Sequence, residues 1–368
     1  MIQVLITGTC FSPSYGGPAR SVAQLADAIA TLGVRVGMWA PDGSGVEAPY
    51  LPSGSCVERL SGDFKEALEE FGKPDLIHDN GLWLPHNHSI ASYACRHSIP
   101  RVLSTRGMLE PWARKHKRVR KCLAWHAYQR RDLNRAFAIH TTSEQEQQTL
   151  MELQLSPRLW TIPNGISPPH GIADPTLESG FSRSEGKVKV ALFMGRLYPV
   201  KGLPMLLQSW AKVRPPRWCL KIAGPDEAGH RSVLERMVVD FALQDSVEFA
   251  GAVEGDAKWK AMRGADLFIC PSYSENFGIA IAEAMSCGVP VITTTGTPWR
   301  VLETNRMGWW VPADVDSLTN ALVAATREDP DVLQKMGTQC RAHVREFYQW
   351  PNIAQQMLGR YKEVIEFN

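Results

Sequence analysis

The feature that most limits the possible folds is a regular alternation of short apolar runs with longer amphipathic stretches. In the first half the apolar runs include IQVLIT (2–7), PDLIHD (74–79) and PRVLST (100–105), and each is followed by a stretch with helical spacing. Short runs without polar alternation are typical of parallel strands that helices cover on both faces. The sequence therefore predicts an α/β fold built on doubly wound parallel sheets.

The alternation pauses once and then starts again, which indicates two domains. The pause, IPNGISPPHGIADPTLESGFSRSEG (162–186), is rich in Pro, Gly and Ser and is typical of a linker. A chain of 368 residues is also long enough for two cores. We predict Rossmann-like domains at 1–165 and 187–349 and a linker at 166–186. Ligands of such sheets bind beyond the carboxyl ends of the strands, so a cleft between the domains is the expected site.

Composition and cysteine placement favour a cytoplasmic protein. The net charge of +2 means that any polyanionic partner must be bound by a local patch. The eight cysteines are scattered and form no C-x-x-C pair, which indicates reduced thiols rather than disulfides or zinc ligands. The start of the sequence, MIQVLITGTCF, does not have the pattern of a signal peptide. No window approaches the 18 uncharged apolar residues expected of a spanning helix.

Two glutamates stand eight residues apart in the segment PSYSENFGIAIAEAMSCGVPVITT (271–294). A buried strand precedes the segment, and a helix is predicted to begin near Phe277 or Gly278 and to end at Gly288. Glu275 then lies in the loop at the carboxyl end of the strand, and Glu283 lies on the helix. Alone, each acid would more simply be a helix cap or a solvated residue, but the apolar residues around Glu283 argue against a surface position.

The loop between the two acids is a candidate anion site. The backbone N–H groups of Asn276, Phe277 and Gly278 are predicted to stand at the N-terminus of the helix, where phosphate binds readily. A phosphate on these amides would leave Glu275 and Glu283 to bind hydroxyl groups on either side of it. A nucleotide sugar has this layout, because its diphosphate lies between the sugar hydroxyls and the ribose hydroxyls.

A second segment, VALFMGRLYPVKGLPMLLQSW (190–210), reads as a strand, a turn at Gly195 and a helix. Arg196 and Lys201 flank the turn, and Gly202 permits close approach of the backbone. Two cations at the carboxyl end of a strand suit a diphosphate, since arginine supplies a fork of donors and lysine a point charge. The alternative is a pair of ordinary surface cations.

A third segment, FSPSYGGPARS (11–21), places Gly16 and Gly17 between the first strand and the first helix. The spacing is not the G-x-G-x-x-G of a dinucleotide site. We interpret the two glycines as a place where the backbone approaches the donor, its sugar or the acceptor. A plain turn is the alternative.

In this order, GRL…KG, AGPDEAGH, FAGAV, ADLFICPSYSENFGIAIAEAMSCGVPVI and TGTPW resemble the family 4 retaining glycosyltransferases, which have the GT-B fold. The resemblance covers nearly the whole chain and is densest at 190–312. GLWLPHN and RGMLEPWARKHK are similar to bacterial members that build exopolysaccharide, capsule or lipopolysaccharide chains. The resemblance also implies that the first domain lies on the acceptor side and that the second domain binds the nucleotide sugar. The last helix, about 350–368, is implied to return to the first domain.

The resemblance implies a role for each matching position. Arg196 and Lys201 would hold the diphosphate and stabilise it as it leaves. Glu275, with the amides that follow it, would bind the hydroxyls of the donor sugar, and Glu283 would bind the ribose. The backbone near Val253 would meet the base. The implied chemistry is attack on the front face of the sugar, in which the leaving diphosphate helps to deprotonate the acceptor and no protein nucleophile is needed.

One position departs from the family pattern. Many relatives carry a histidine just after the strand that corresponds to PRVLST, but this chain has Arg106 followed by Gly107. The simple transfer of a catalytic histidine to this position therefore fails. Arg106 and His78 become candidate contacts of the acceptor or the donor sugar.

No metal or other cofactor is expected besides the nucleoside-diphosphate sugar itself. DVD (314–316) has D-x-D spacing but reads better as the start of a helix. His86-x-His88 lacks cysteine or carboxylate partners at ligand spacing. Arg196, Lys201 and a helix N-terminus can supply the positive charge that a metal would otherwise bring.

A basic segment, WARKHKRVRKCLAWHAYQRRDLNR (112–135), holds nine Lys or Arg and one acid, with Trp112 and Trp125 between them. We interpret it as a surface that docks on anionic lipid, and the alternative is a solvated helix face. No fold motif for RNA or DNA accompanies it, so nucleic acid is not an expected partner. The predicted membrane contacts are Arg114, Lys115, Lys117, Arg118, Arg120 and Lys121.

The leading hypothesis is a retaining, metal-independent glycosyltransferase that extends a growing bacterial glycan on a lipid carrier. The enzyme would lie in the cytoplasm, attached to the inner face of the cell membrane. One alternative is a nucleotide-sugar epimerase of the same fold, which needs no acceptor. Another is a non-catalytic nucleotide-sugar-binding subunit, against which the intact Glu275, Glu283, Arg196 and Lys201 argue.

Overall fold

The computed structural model describes residues 1–169 and 188–366 and contains two compact units. The first unit holds residues 1–165 together with the chain from Gln349 onward. The second unit is Ile166–Tyr348. Each unit has its own parallel sheet and its own hydrophobic clusters.

The segment interpreted as a linker, 166–186, lies outside the described residues from position 170 onward. Its first residue belongs to the second unit, where the Ile166 side chain is buried in a hydrophobic cluster. The Ile166 amide donates a hydrogen bond to the Tyr348 carbonyl at 2.7 Å. The second unit therefore begins at the first residue of the predicted linker, rather than after it.

A seven-stranded parallel sheet forms the core of the first unit, in the order β3-β2-β1-β4-β5-β6-β7. Its strands are β1 Gln3–Thr7, β2 Arg35–Trp39, β3 Glu58–Arg59, β4 Leu76–Asn80, β5 Arg101–Ser104, β6 Ala138–Thr141 and β7 Arg158–Thr161. Successive residues of β1 pack on opposite faces, since Val4 and Ile6 join one hydrophobic cluster and Leu5 joins another. The predicted doubly wound parallel sheet is confirmed.

Eight helices follow the strands of the first unit: α1 Gly17–Ala30, α2 Ser44–Glu47, α3 Phe64–Phe71, α4 Pro85–Arg96, α5 Pro111–Lys115, α6 Arg118–Ala124, α7 Arg130–Asn134 and α8 Glu144–Glu152. A π-helical turn, Trp125–Gln129, joins α6 to α7. The start of α3 shows why a helix begins there, because Asp63 and Glu66 form a reciprocal capping box. The predicted linkage of one helix to each strand holds for most of this unit.

A six-stranded parallel sheet forms the core of the second unit, in the order β10-β9-β8-β11-β12-β13. Its strands are β8 Lys189–Met194, β9 Trp218–Ala223, β10 Val247–Gly251, β11 Leu267–Cys270, β12 Val291–Thr294 and β13 Gly308–Val311. Ala191 and Phe193 pack on one face and Leu192 packs on the other. The strand order reverses between β8 and β11, which makes their carboxyl ends the switch point of the sheet.

The helices of the second unit are α9 Leu203–Val213, α10 His230–Asp240, α11 Gly255–Arg263, α12 Ile279–Ser286, α13 Val301–Thr304, α14 Val315–Arg327 and α15 Pro330–Phe347. Asp314 is the N-cap of α14, and its side chain accepts a hydrogen bond from the Ser317 amide at 2.8 Å. The interpretation of DVD as a helix start is confirmed. Gly288, at φ +76°, ends the turn after α12 as predicted.

The last described helix, α16 Trp350–Glu366, belongs to the first unit. Its buried face, which includes Ile353, Met357 and Tyr361, packs in the same cluster as residues of β1 and α1. A Cβ atom at Gly165 would lie 2.3 Å from the Trp350 ring, so only glycine allows this close packing. Among the described residues, no helix is both long and apolar enough to cross a bilayer.

Candidate functional site

The loops that follow β8 and β11 bring Lys201 and Glu275 into contact. The two strands are neighbours at the switch point of the second sheet. Lys201 Nζ lies 2.5 Å from Glu275 Oε1, and both side chains are largely buried. Ligands of doubly wound sheets bind at such a switch point. Two residues that the sequence singled out separately therefore form one site.

The surroundings of the Lys201–Glu275 pair keep the lysine charged. Burial alone lowers the pKa of the Lys201 ammonium, but the carboxylate of Glu275 reverses this, so the pKa is raised above its ordinary value. The same carboxylate accepts a hydrogen bond from Ser272 Oγ at 2.7 Å. The amide of Glu275 donates to the Gly296 carbonyl at 2.8 Å. Side chain and backbone thus hold this acid in one place.

Glycines allow these loops to pass close together. Gly202 has φ +68°, and a Cβ atom there would lie 2.0 Å from the carbonyl oxygen of Pro271. The predicted close approach at Gly202 is thus an approach to the loop that carries Glu275. Gly195 directly follows β8, and its amide donates to the Ala223 carbonyl. The Gly195 carbonyl oxygen would lie 1.8 Å from a Cβ atom at Gly224.

Arg196 lies in the same loop as Lys201 but points to a different partner. Its Nη1 donates to Glu227 Oε2 at 2.8 Å, and 48% of the side chain is exposed. Glu227 belongs to the AGPDEAGH segment after β9. The two predicted cations are therefore unequal, because Lys201 is largely buried at the switch point and Arg196 is held at the surface.

The loop between Glu275 and α12 has the predicted form, with the helix starting slightly later than expected. The helix begins at Ile279, and Gly278 is its N-cap with φ +79°. Asn276 and Phe277 therefore precede the helix, and the first-turn amides start with Ile279. The carbonyl of Phe277 accepts a hydrogen bond from the buried indole of Trp299 at 2.5 Å. This hydrogen bond holds the loop in place within the second unit.

Glu283 is buried and forms an ion pair with Lys258. Only 6% of Glu283 and 7% of Lys258 is exposed. The Lys258 ammonium contacts the carboxylate and lies 4.8 Å from the ring centroid of its neighbour Trp259. The prediction that Glu283 is not a surface residue is confirmed, and the pair adds a cation that the sequence reasoning missed.

A sequence signal for Lys258 existed on α11. Lys258 and Met262 are four residues apart, so they share a helix face, and both are buried. Val253 lies in the connection between β10 and α11, half-buried against the same cluster as Trp259. The segment proposed to meet the base therefore leads directly into the helix that carries Lys258.

In the first unit, Gly16 and Gly17 occupy the connection between β1 and α1. Gly16 has φ +79°, and its amide donates to the Pro13 carbonyl at 3.0 Å. Gly17 is the first residue of α1. This geometry is consistent with a turn at the carboxyl end of β1, where the sequence placed a close backbone approach.

His78 was wrongly placed among the candidate sugar contacts. It is fully buried on β4, with Nδ1 2.5 Å from Tyr361 Oη and Nε2 2.7 Å from Ser104 Oγ. Burial, together with His140 and Arg106, lowers its pKa well below the ordinary value, so the ring is neutral. Both nitrogens are used inside the unit, and none is left for a ligand.

The direction of this buried network is fixed at its far end. His140 Nε2 lies 2.8 Å from the Ile162 carbonyl, which can only accept, so Nε2 carries the proton. Burial and then Arg106 lower the pKa of His140 to about 3, which leaves Nδ1 to accept from Ser104. His78 must then donate from Nε2 to Ser104 and accept at Nδ1 from Tyr361. The network thus fastens α16 to the sheet.

Arg106 follows β5 and is buried, with 9% of its surface exposed. Its guanidinium donates to the side-chain oxygens of Asn80 and Asn164. Asn80 ends β4, and Asn164 follows β7, so these residues share the carboxyl edge of the first sheet. Unlike His78, this candidate stays at an edge where ligands bind.

Most of the basic segment is exposed. No residue of α5 or α6 is buried, and Arg114, Lys115, Lys117, Arg118 and Arg120 all point to solvent. Three large apolar residues of α5 and α6 are exposed as well, Trp112 with 41%, Val119 with 74% and Leu123 with 68% of the residue exposed. The segment therefore presents charge and apolar surface together.

Two members of the basic segment do not have the predicted exposure. Lys121 is half-buried, and its Nζ donates to the Ala113 carbonyl at 2.6 Å and lies over the ring of Trp83. Trp125 packs against the same ring, with centroids 6.2 Å apart, in a hydrophobic cluster of the first unit. Both are therefore corrected from surface contacts to internal ones.

No group of three or more His, Cys, Asp or Glu within the described ranges is arranged to hold a metal ion. The eight cysteines are all free thiols.

Two family models match the chain. One, described as Glycosyl transferases group 1, matches residues 177–343, and the other, described as Glycosyltransferase Family 4, matches residues 15–169. The chain is 27% identical to a phosphatidyl-myo-inositol mannosyltransferase of Mycobacterium leprae, over 95% of this chain and 93% of that protein.

Further relatives agree with these matches. A GDP-mannose:cellobiosyl-diphosphopolyprenol alpha-mannosyltransferase of Xanthomonas oryzae pv. oryzae is 25% identical over 81% of this chain and 76% of that protein. An uncharacterized glycosyltransferase of Methanocaldococcus jannaschii is 31% identical over 56% of this chain, which spans about half (54%) of that protein. The solved structure of Anabaena HepE in complex with UDP and glucose superposes with a TM-score of 0.73, at 19% identity, over 99% of this chain and 100% of that one.

Proposed function

The chain belongs to the group 1, family 4 glycosyltransferases, and on this premise we propose that it transfers a sugar from a nucleoside-diphosphate sugar to a growing, lipid-linked bacterial glycan. Its two doubly wound parallel sheets are those of the GT-B fold. The observation that carries the proposal is the contact of Lys201 with Glu275 at the switch point of the second sheet. A cation beside an acid suits a ligand that presents a diphosphate next to hydroxyl groups.

The similar proteins support the two substrates. HepE is described in complex with UDP and glucose, which supports a nucleotide-sugar donor. The Xanthomonas relative is named for an acceptor linked through diphosphate to a polyprenol, which supports a lipid-linked acceptor. Transfer of a sugar onto an added acceptor would separate this function from that of an epimerase or a binding subunit.

In the proposed reaction the sugar keeps its anomeric configuration. The bond from the anomeric carbon to the diphosphate oxygen breaks while the acceptor hydroxyl oxygen bonds to the same face of that carbon. The proton of the hydroxyl passes to a phosphate oxygen of the leaving group. Lys201 stabilises the charge that develops on the diphosphate. Arg196 also binds the diphosphate once its ion pair with Glu227 has opened. These two cations supply the positive charge that a metal ion would otherwise bring, so we expect the reaction to require no metal ion.

The two glutamates are proposed to bind opposite ends of the donor. Glu275→Gln is expected to slow transfer more than it weakens the free nucleoside diphosphate, because Glu275 binds the sugar. Glu283→Gln is expected to weaken the nucleoside diphosphate itself by about tenfold, through loss of charged hydrogen bonds to the ribose. Calorimetry with the free nucleotide and steady-state kinetics measure the two effects.

A double variant controls for the partner of Glu283. Glu283→Gln leaves the buried Lys258 ammonium without this carboxylate, so the titration is repeated with Glu283→Gln combined with Lys258→Met. Binding should remain weak in the double variant if Glu283 itself contacts the ribose. Equal losses of nucleotide affinity in Glu275→Gln and Glu283→Gln would contradict the proposal that the two glutamates bind opposite ends of the donor.

We also propose that the exposed part of the basic segment attaches the enzyme to the inner face of the cell membrane. Each Lys or Arg near an anionic bilayer contributes about 1 kcal/mol, and five exposed ones lie on or between α5 and α6. Val119 and Leu123 add apolar side chains that can enter the headgroup region. A lipid-linked acceptor would be reached from this surface.

Vesicle co-sedimentation tests this attachment. Binding is expected to rise with the fraction of anionic lipid and to fall with salt, because the screening length is about 8 Å near 0.15 M. Glutamine at the five exposed positions, Arg114, Lys115, Lys117, Arg118 and Arg120, should abolish most of the binding. Five exposed basic residues of the second unit, Lys212, Arg217, Arg236, Lys260 and Arg263, give a control of equal charge. Wild-type protein that ignores anionic vesicles at low salt would refute the attachment.

A further inference from the structure

Arg106 is a buried cation at the carboxyl edge of the first sheet. It stands two residues after β5, in a left-handed backbone conformation at φ +49°. Residues other than glycine rarely adopt this conformation, and it is concentrated at functional sites. Asn80, which Arg106 contacts, also donates to the carbonyl of Thr7 at 3.1 Å. That bond joins the ends of β1 and β4, where the strand order of this sheet reverses.

The direct partners of the guanidinium are neutral. Arg106 Nε and Nη2 donate to Asn80 Oδ1 at 3.1 and 2.9 Å, and Nη1 donates to Asn164 Oδ1 at 2.9 Å. An arginine has five N–H groups, so these bonds leave two without an acceptor among the described residues. No carboxylate of the described residues forms an ion pair with it.

The acid that acts most on Arg106 is already occupied. Glu146 attracts the guanidinium through space, but its Oε1 accepts from Thr105 Oγ1 and the Gly107 amide. Its Oε2 accepts from the Thr142 amide at 2.8 Å. Burial still prevails over this attraction, and the pKa of Arg106 is lowered to about 10. The local structure therefore gives the cation only partial compensation.

A second buried arginine in the same unit shows what full compensation looks like. Arg101, the first residue of β5, is 4% exposed, and its Nη1 lies 3.1 Å from the carboxylate of the buried Asp79. Buried charges in proteins are normally paired in this way, because an unpaired charge loses its hydration. Arg101 is thus paired with an acid, whereas Arg106 contacts the neutral side-chain amides of Asn80 and Asn164.

We propose that Arg106 binds an oxyanion of the acceptor, either a phosphate or a carboxylate. Arginine suits this task because its planar fork can give two parallel hydrogen bonds to such a group. The lipid-linked acceptor of the proposed function supplies a phosphate, and an acidic sugar in the glycan would supply a carboxylate. The inference rests on the proposed function and on the expectation that the first unit lies on the acceptor side.

Calorimetry on the full-length protein tests the assignment, with its nucleotide site first saturated by the nucleoside diphosphate that it binds. The phosphate arm compares farnesyl diphosphate with farnesol, and the carboxylate arm compares glucuronate with glucose. Wild-type protein is expected to prefer the anion in one arm. Arg106→Gln should weaken that anion about ten- to hundredfold and leave the affinity for the nucleoside diphosphate unchanged.

Arg106→Lys serves as the second variant, because it keeps the charge and loses the fork. Its affinity for the anion should lie between those of wild type and Arg106→Gln, and it carries the test alone if Arg106→Gln does not fold. A purely structural bridge between the two asparagines would instead change the melting temperature and leave anion affinity at the wild-type value. That result, or a wild type that prefers neither anion, overturns the assignment. Failure of the proposed function is distinct, since wild type would then transfer no sugar from a nucleoside-diphosphate sugar to an added acceptor.

Discussion

Lys201→Ala is expected to lower kcat/KM for the donor by about two to three orders of magnitude. The removal of one preorganised donor of this kind costs roughly 2.7–4 kcal/mol of transition-state stabilisation. The effect is large because Lys201 is largely buried at the switch point, where little water can replace it, and its pKa is raised so that it stays charged. Steady-state kinetics with varied donor concentration measure it.

Two comparisons calibrate this loss. Arg196→Ala should cost less, because Arg196 is half-exposed and already paired with Glu227. Lys212→Ala, which removes an exposed lysine of the same unit that pairs with Asp316, should leave kcat/KM unchanged. Wild-type kcat/KM in Lys201→Ala would remove this residue from the phosphate site.

Breaking the buried pair in the second unit is expected to cost about 3–5 kcal/mol of unfolding free energy. Either Lys258→Met or Glu283→Gln should have this effect, since each leaves one buried group without its partner in this ion pair. Chemical denaturation, followed by a probe of the second unit, measures the change. The loss should appear in the absence of any nucleotide, which distinguishes it from the effect on binding.

The double variant, Lys258→Met with Glu283→Gln, should recover most of the lost stability, because neither charge then remains buried. The exposed pair Lys212–Asp316 is the matched control, and Lys212→Met should cost less than about 1 kcal/mol. If both single variants at the buried pair were as stable as wild type, the pair would not hold α11 to α12.

The strand pattern was readable from the sequence for a physical reason. Strands such as β1 and β11 are buried on both faces, so each contains a continuous apolar run. The edge strands were harder to find, because β3 has only two residues and β7 begins with an exposed one. A strand that is buried on both faces has a recognisable apolar run, and these two edge strands do not.

The acids and cations of the candidate site were also readable, but their pairings were not. Lys201 and Glu275 follow strands that are far apart in sequence, and only the sheet order places them side by side. Lys258 looked like one more charged residue on an amphipathic helix, although its spacing from Met262 marked the buried face. Such contacts depend on tertiary packing, which spacing along the chain does not encode.

The basic segment and His78 show the opposite error, in which a residue type suggested more than its surroundings allow. Lys121 and Trp125 carry the charge and the aromatic ring that a membrane surface needs, yet both pack against Trp83. His78 lies on β4, and its position in the middle of the sheet makes it a buried partner of Tyr361. The type of residue predicts which kind of contact its side chain can make. Its burial decides whether the partner is a ligand or another part of the protein.

The most direct test of the central claim is a crystal structure of the enzyme with its nucleoside diphosphate bound. A phosphate oxygen is expected within hydrogen-bonding distance of Lys201 Nζ, about 2.7–3.2 Å, and the ribose hydroxyls are expected on Glu283. The phosphates are expected at the carboxyl ends of β8 and β11. A nucleotide bound away from this switch point, with the Lys201–Glu275 contact unchanged, would contradict it.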